Sequence, residues 1–360
     1  MDTTPWSGPA RRRPTPPVTA ASEEGPTIST GPTVREVGEF ALIARINAGR
    51  EQGPAVQLGP GDDAAVLAAA RGRYVVSTDM LIEDRHFRLD WSRAEDIGRK
   101  AIAQNAADIY AMGAEPVGYV VGLGVPERTP VDFVTGLADG FWAEATRAGG
   151  SIAGGDIVRS PQVVISVTAF GDPLGEEPVP RSGARPGGLL AIAGRPGWSA
   201  AGYALLAGGH SPESGPGAAT AVAAHRAPRP AYDLVRAAVT GAHPPVALTD
   251  ISDGLLADIG HLAESSGVAI DVRSAALRDT ELAECAGLLE ADAQHWILTG
   301  GEDHVFAGVW PAGSPPPPGW TVIGDIEAGH GVTVDGARYR GRQGWEAFSG
   351  TDSANVGHSR

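Results

Sequence analysis

Among its 360 residues the chain has one cysteine, Cys285, and one lysine, Lys100. A lone cysteine forms no internal disulfide and cannot build a cysteine-based zinc site. Cys285, in Leu282-Ala-Glu-Cys-Ala-Gly287, reads as a small buried apolar side chain. Scarce lysine leaves arginine and bound metal to supply positive charge at any anion site. There is no Gly-x-x-x-x-Gly-Lys-Ser/Thr, so phosphates are not held by a P-loop. No apolar run reaches the ~18 residues that span a bilayer. Arg11-Arg-Arg13 is followed by no apolar segment, so the N-terminus does not read as a secretory signal, and a cytoplasmic location is expected. Net charge is −15 with no basic patch, which excludes a nucleic-acid backbone as the main partner. Phosphate ligands stay open where metal ions stand between them and the protein.

What is present is globular. Hydrophobic residues are 42% and charged residues 20%, and the length suffices for two domains with separate cores. Residues 1–33, rich in Pro, Thr, Ser and Gly, read as a disordered extension. A helix is predicted over Val34–Ala48, then a loop at Gly59-Pro-Gly-Asp-Asp63 and a strand over Ala64–Leu67. Tyr74-Val-Val76 begins a strand expected to deliver Ser77, Thr78 and Asp79 at its carboxyl end, with His86 a short loop later. Ser92-Arg-Ala-Glu95 predicts a capping box for a helix to about Met112, and Thr129 a cap for the next. Strands and helices then alternate to about residue 170, defining an N-terminal domain over 34–170. Gly171–Gly188 is the predicted junction to a domain over 171–360. Within it, strands are predicted at Leu189–Ala193, Val246–Leu248, Val268–Val272 and Val305–Val309. Helices are predicted at Trp198–Ala207 and from Leu255 to Gly267, and 208–227 reads as a flexible insertion.

Six acidic clusters share one context, an element end beside Gly, Ser or Thr: Asp62-Asp63, Asp79, Asp108, Asp156, Asp250 with Asp253, and Glu302-Asp303. Taken singly, each reads as turn chemistry or a helix cap rather than a ligand. If they converge, carboxylates ~4 Å apart repel by ~4 kcal/mol at an effective dielectric of ~20, so divalent cations must offset them. All donors are oxygens, which favours Mg²⁺ (or Mn²⁺ or Ca²⁺) over zinc, and Mg²⁺ commonly shares its shell with substrate phosphates. Metal-assisted phosphoryl transfer follows as the expected chemistry. Arg181, in Arg181-Ser-Gly-Ala-Arg185, is either a phosphate fork or a solvated junction residue. His86 is either a substrate contact or loop packing.

The motifs Gly61-Asp-Asp-Ala-Ala65, Ser77-Thr-Asp-Met80 with His86-Phe87, Asp108-Ile-Tyr-Ala-Met-Gly-Ala114, Gly154-Gly-Asp156, Asp250-Ile-Ser-Asp-Gly-Leu255 and Gly300-Gly-Glu-Asp303 stand in one order. In that order the chain, over roughly 36–348, resembles the thiamine-monophosphate kinase family. The resemblance implies an α/β (α+β type) fold like aminoimidazole ribonucleotide synthetase, with an N-terminal mixed sheet carrying helices on one face and a C-terminal α/β sandwich. It implies a homodimer through the N-terminal domain and transfer of the ATP γ-phosphate to thiamine monophosphate, giving thiamine diphosphate. Asp63, Ser77, Thr78, Asp79, Asp108, Asp156, Asp250 and Asp253 look like ligands of several Mg²⁺ ions, with Asp79, Asp156 and Asp250 carrying catalysis. Gly155, Asp156, Arg181 and Ser252 look like nucleotide contacts, and His86, Glu302 and Trp345 like contacts to the thiamine phosphate. His304-Val-Phe stands where the family often has Tyr-Glu-Leu.

The chemistry matches the residues. The acceptor is a phosphate oxygen, anionic at neutral pH, so no general base is required; relief of repulsion and in-line alignment are. A selenophosphate synthetase would want a reactive cysteine in a Gly-rich N-terminal loop, and Cys285 is far from one. A non-catalytic cation-binding module would account for the carboxylates but not for Arg181 or the Gly-Gly-Asp loop.

Overall fold

A computed structural model describes residues 31–60 and 64–344. The 1–30 part of the predicted extension, Asp62, Asp63 and Trp345 lie outside the described residues.

The chain opens with two short helices, α1 (Val34–Val37) and α2 (Glu39–Asn47), where one was predicted. Gly38 separates them because its φ of 79° leaves the helical region. Thr33 and Glu36 form a capping box on α1. After β1 (Val56–Leu58) and β2 (Val66–Leu67), β3 runs unbroken over Val75–Ile82. Ser77, Thr78 and Asp79 therefore sit mid-strand and not at its end, because β6 (Val164–Pro173) pairs with β3 along its whole length, from Val75↔Gly171 to Ile82↔Val164. Helix α3 (Ala94–Ala111) is entered from Arg93 without a side-chain cap, so Ser92 does not cap it. Helix α4 (Val131–Ala148) starts after Pro130, one residue later than the Thr129 cap predicted.

With β4 (Ala114–Val125) and β5 (Ile152–Arg159), the first sheet has the order β3-β6-β4-β5. Only β4–β5 is parallel. Helices α3 and α4 cover one face. Leu81, Ile97, Tyr119, Leu137, Ile165 and Val167 fill that side completely. The other face stays open, with Val76, Met80 and Val158 each more than half exposed. Gly98 and Gly140 let α3 and α4 touch: a Cβ on Gly98 would fall 2.2 Å from the Leu137 carbonyl oxygen, and one on Gly140 2.2 Å from that of Glu95. Gly98→Val should therefore cost about 2–3 kcal/mol in urea unfolding; an unchanged midpoint would refute this account of the helix contact.

The second sheet, β12-β9-β11-β7-β10-β8, comprises β7 (Leu189–Ala193), β8 (Ala247–Ile251), β9 (Ala269–Val272), β10 (Val305–Trp310), β11 (Thr321–Glu327) and β12 (Gly331–Val334). Only β12–β9 is parallel. Around it lie α5 (Trp198–Ala207), α6 (Ala218–Arg226), α7 (Tyr232–Thr240), α8 (Leu255–Ser266), α9 (Thr280–Gly287) and α10 (Ala293–Thr299). The predicted flexible insertion at 208–227 thus contains α6, whose Ala218, Ala221 and Val222 are buried. One apolar core joins the helices of the first sheet to a face of the second, where Tyr110 stacks on Tyr232 at 4.8 Å and both meet Phe306. A second core, with Cys285 fully buried in it, lies under α5 and α8.

Candidate active site

Where the two sheets meet, α3 and β3 face the ends of β8 and β10. Register sorts the predicted acidic residues. Ser77, Asp79 and Leu81 point to the helix-covered side, because Asp79 lies in one row with buried Val167 and Val121. Asp108 comes from the last turn of α3, and its carboxylate accepts from Ser77 Oγ at 2.6 Å. Asn105, one turn earlier and fully buried, accepts from the Asp79 amide at 3.1 Å. Asp250, on β8, is 2% exposed and lies 3.1 Å from His304 Nδ1.

Asp79 and Asp108 both sense the charge of Asp250. Burial pushes Asp108 up to about 7, helped by Asp250 and Asp79. Asp79 is raised first by burial and also by Asp250, while His304, Gln104 and Asp108 oppose the rise. Asp253 is raised by burial and Asp250, against His261, His304 and Arg181. Burial alone would lower His304, but its bond to Asp250 and the charges of Asp250, Asp108 and Glu302 raise it. His304 is thus the side chain that faces these carboxylates, its Nδ1 3.1 Å from Asp250.

Thr78 and Asp156 lie on the opposite, open face. Asp156 is in the row of Gly122, Ser166 and Met80, and Thr168 Oγ1 donates to Thr78 Oγ1 at 3.1 Å. Ala65 comes within about 4.0 Å of where a Gly154 side chain would begin. The eight proposed ligands fall into an inner group (Ser77, Asp79, Asp108, Asp250, Asp253) and an outer pair, Thr78 and Asp156, with Asp63 outside the described residues. Gly155 tolerates no side chain, since a Cβ would lie 2.1 Å from the Val121 carbonyl oxygen.

The Asp250–Asp253 and Gly300–His304 loops run side by side. Glu302 donates its amide to the Ser252 carbonyl at 2.7 Å and His304 to that of Ile251 at 3.0 Å. Both residues are held at positive φ, 65° and 51°. Arg181 is exposed and donates Nε to Thr249 Oγ1 at 3.1 Å, next to Asp250. Asp303 does not join the acidic group; it accepts from the Gly197 and Ser199 amides and anchors the start of α5. His86 accepts from the Ile82 amide at Nδ1, which leaves Nε2 as the proton-bearing nitrogen of the neutral ring. Burial lowers its pKa, with Lys100 and Arg85 assisting and Glu302 opposing.

Four contributors escaped the sequence reading: Asn105, Lys100, His304 and Asp258. Asp258 accepts from the Asp253 and Gly254 amides and braces the Asp253 turn. Only an i+5 spacing from Asp253, across a Gly, could have hinted at it.

Oxygen donors throughout the inner group suit a hard cation. Among the described residues no three His, Cys, Asp or Glu are gathered to hold an ion unaided. Mg²⁺ takes one or two carboxylates and completes its octahedron with water and substrate phosphates, so the inner group would serve more than one ion.

Residues 61–172 match the family model for AIR synthase related protein, N-terminal domain. The thiamine-monophosphate kinase of Mycobacterium tuberculosis is 49% identical over 327 residues, covering 89% of this chain and 95% of that one. The chain belongs to the thiamine-monophosphate kinase family. That of Corynebacterium glutamicum is 42% identical over 332 residues, 89% and 97% of the two chains. Among solved structures, thiamine-monophosphate kinase from Stenotrophomonas maltophilia superposes with TM-score 0.72 at 33% identity, covering 84% and 98%. AaThiL complexed with AMPPCP and TMP superposes with TM-score 0.72 at 32% identity, covering 89% and 100%. The two sheets described here are thus the aminoimidazole ribonucleotide synthetase-like fold of this kinase family. Among the described residues, no helix is long and apolar enough to cross a membrane.

Proposed function

We propose that this kinase transfers the γ-phosphate of ATP directly and in line to thiamine monophosphate, giving thiamine diphosphate and ADP. The observation that carries the reading is the gathering of three acidic side chains from three elements: Ser77, two residues before Asp79, donates to Asp108 at 2.6 Å, and the charge of Asp250 raises both Asp79 and Asp108. Mg²⁺ bound there would spread the charge of two polyanions and polarise the transferred phosphoryl group.

The remaining roles belong to the chain's own side chains. Asp79 and Asp250 hold the inner metal position with Ser77, Asp108 and Asp253. Thr78 and Asp156, with Asp63, serve the outer face. Gly155, Asp156, Arg181 and Ser252 bind nucleotide. Arg181 lies beside the Thr249–Asp253 segment, its Nε on Thr249 Oγ1, and offers its fork to phosphate. His86 presents its Nε2 proton, Glu302 its carboxylate and Trp345 its ring to thiamine monophosphate. No side chain need remove a proton, because the attacking oxygen is already anionic.

Residues 34–170 form the metal-binding and dimer-forming domain, and 171–360 its partner domain. The open face of the first sheet, with Val76, Met80 and Val158 on it, is the surface that a second copy covers in a homodimer. The deciding experiment is a coupled ADP-release assay with ATP, Mg²⁺ and thiamine monophosphate, run against thiamine and other phosphomonoesters. Turnover confined to thiamine monophosphate supports the reading. Equal turnover with thiamine, or ADP release that ignores the acceptor, would overturn it.

A further inference from the structure

Lys100 is the only lysine in a chain whose other basic side chains are all arginine. It is also among the most buried polar residues, at 2% exposure on α3. Its ammonium donates to three oxygens from three separate segments: the His86 carbonyl at 2.9 Å, Glu302 Oε2 at 3.0 Å and the His225 carbonyl at 3.3 Å. A compact ammonium offers three donors that can diverge to such a set. A planar guanidinium, longer and forked for side-by-side acceptors, cannot replace it in a closed space. The position thus requires the side chain that the rest of the sequence avoids.

What Lys100 holds matters more than its burial. Two of its three acceptors belong to His86 and Glu302. Burial would raise the Glu302 pKa, yet Lys100 and His225 outweigh it and leave the group lowered and anionic. Lys100 engages only Oε2, and the Glu302 side chain is still 37% exposed, so Oε1 stays available. His225 Nδ1 lies 3.7 Å from the same Oε2 and 3.3 Å from Ser199 Oγ. Its ring packs edge-on against Trp91 and Tyr203, closing the back of the cluster.

We propose that Lys100 is a positioning residue for the acceptor: it fixes the Glu302 carboxylate and the His86 loop in one geometry, so that both address thiamine monophosphate together. This rests on the reading that His86 and Glu302 meet that substrate.

The test compares wild type, Lys100→Gln, Glu302→Gln and the charge-neutral double variant. Lys100→Gln should raise the KM for thiamine monophosphate at least tenfold, while kcat and the KM for ATP stay within about threefold. Adding Lys100→Gln to Glu302→Gln should raise that KM by no more than a further threefold, since the group through which Lys100 acts is already gone. A normal acceptor KM in folded Lys100→Gln, a loss confined to kcat, or fully additive effects in the double variant would overturn the proposal. If Lys100→Gln does not fold, the comparison of Glu302→Gln with the double variant decides on the same threefold criterion. The single lysine gives a second readout: protein labelled with 15N-lysine has one side-chain ammonium resonance. It should shift on adding thiamine monophosphate and not with an ATP analogue alone; no shift at saturating thiamine monophosphate counts against the proposal. A wild type inactive on thiamine monophosphate, or Glu302→Gln with unchanged acceptor KM, would instead sink the underlying substrate reading.

Discussion

Asp79→Asn should lower turnover by about 10²–10³-fold, the range seen when one preorganised electrostatic contact to a transition state is removed, and it should do so without unfolding the protein. The backbone contact that fixes this residue, its amide to Asn105, survives the substitution. The amide side chain has nearly the shape of the carboxylate. What disappears is one buried negative charge that Asp250 already repels, so the melting temperature in EDTA should hold or rise. Steady-state ADP release across a Mg²⁺ titration measures the effect. Full activity with an unchanged Mg²⁺ dependence would remove Asp79 from the mechanism. Asp156→Asn, measured beside it, probes the open face of the sheet. A comparable loss there means the chemistry draws on ligands from both faces, and normal activity would confine it to the inner group.

The second large effect is on stability, and its sign depends on pH. Asp108 is pushed up to about 7, first by burial and then by Asp250 and Asp79, while Ser77 pulls the other way. The folded state therefore holds this proton more tightly than the unfolded chain does. The stability it contributes is complete below the ordinary carboxylate range near 4 and is lost as pH rises through about 7. Asp108→Asn stays neutral throughout and can still accept from Ser77. In EDTA its unfolding free energy should match wild type at or below about pH 4 and exceed it at pH 8 by on the order of 2–4 kcal/mol. Mg²⁺ should narrow the gap at pH 8 by stabilising only the wild-type carboxylate. Urea titrations at the two pH values decide it: a difference that is flat with pH, or a variant weaker at pH 8, would show that burial beside Asp79 and Asp250 does not hold Asp108 against its charge. Catalysis should fall in the same variant.

Much of this could be read in the residues. Strand β7 and helix α5 fall where predicted, because Leu189–Ala193 is a pure apolar run and Trp198–Ala207 is bounded by glycines. The buried face of α4, with Val134, Leu137, Ala138, Phe141 and Ala145, follows helical spacing in the sequence. Local signals failed where tertiary partners decide. Helix α6 is mostly alanine with a weak apolar face, and its burial under α5 makes it a helix. Strand β3 outruns the apolar Tyr74-Val-Val76 start because β6 gives it a full-length partner. The motif order exposed the acidic residues, but their division between two faces follows from register, which no single stretch encodes. Lys100 and His304 were illegible for the same reason. Each gains its meaning from residues far away in sequence, Glu302 for one and Asp250 for the other.

Glu302 and His304 occupy left-handed backbone positions on either side of Asp303. Each such position costs a residue with a side chain on the order of 1–3 kcal/mol, and glycine would relieve it. Selection for thermal robustness alone would empty both places of their side chains, and the loop would keep its shape while losing its charge. Stabilising this protein by consensus or by design therefore has a blind spot at 302 and 304, where the most favourable replacement on paper is the one that silences the enzyme.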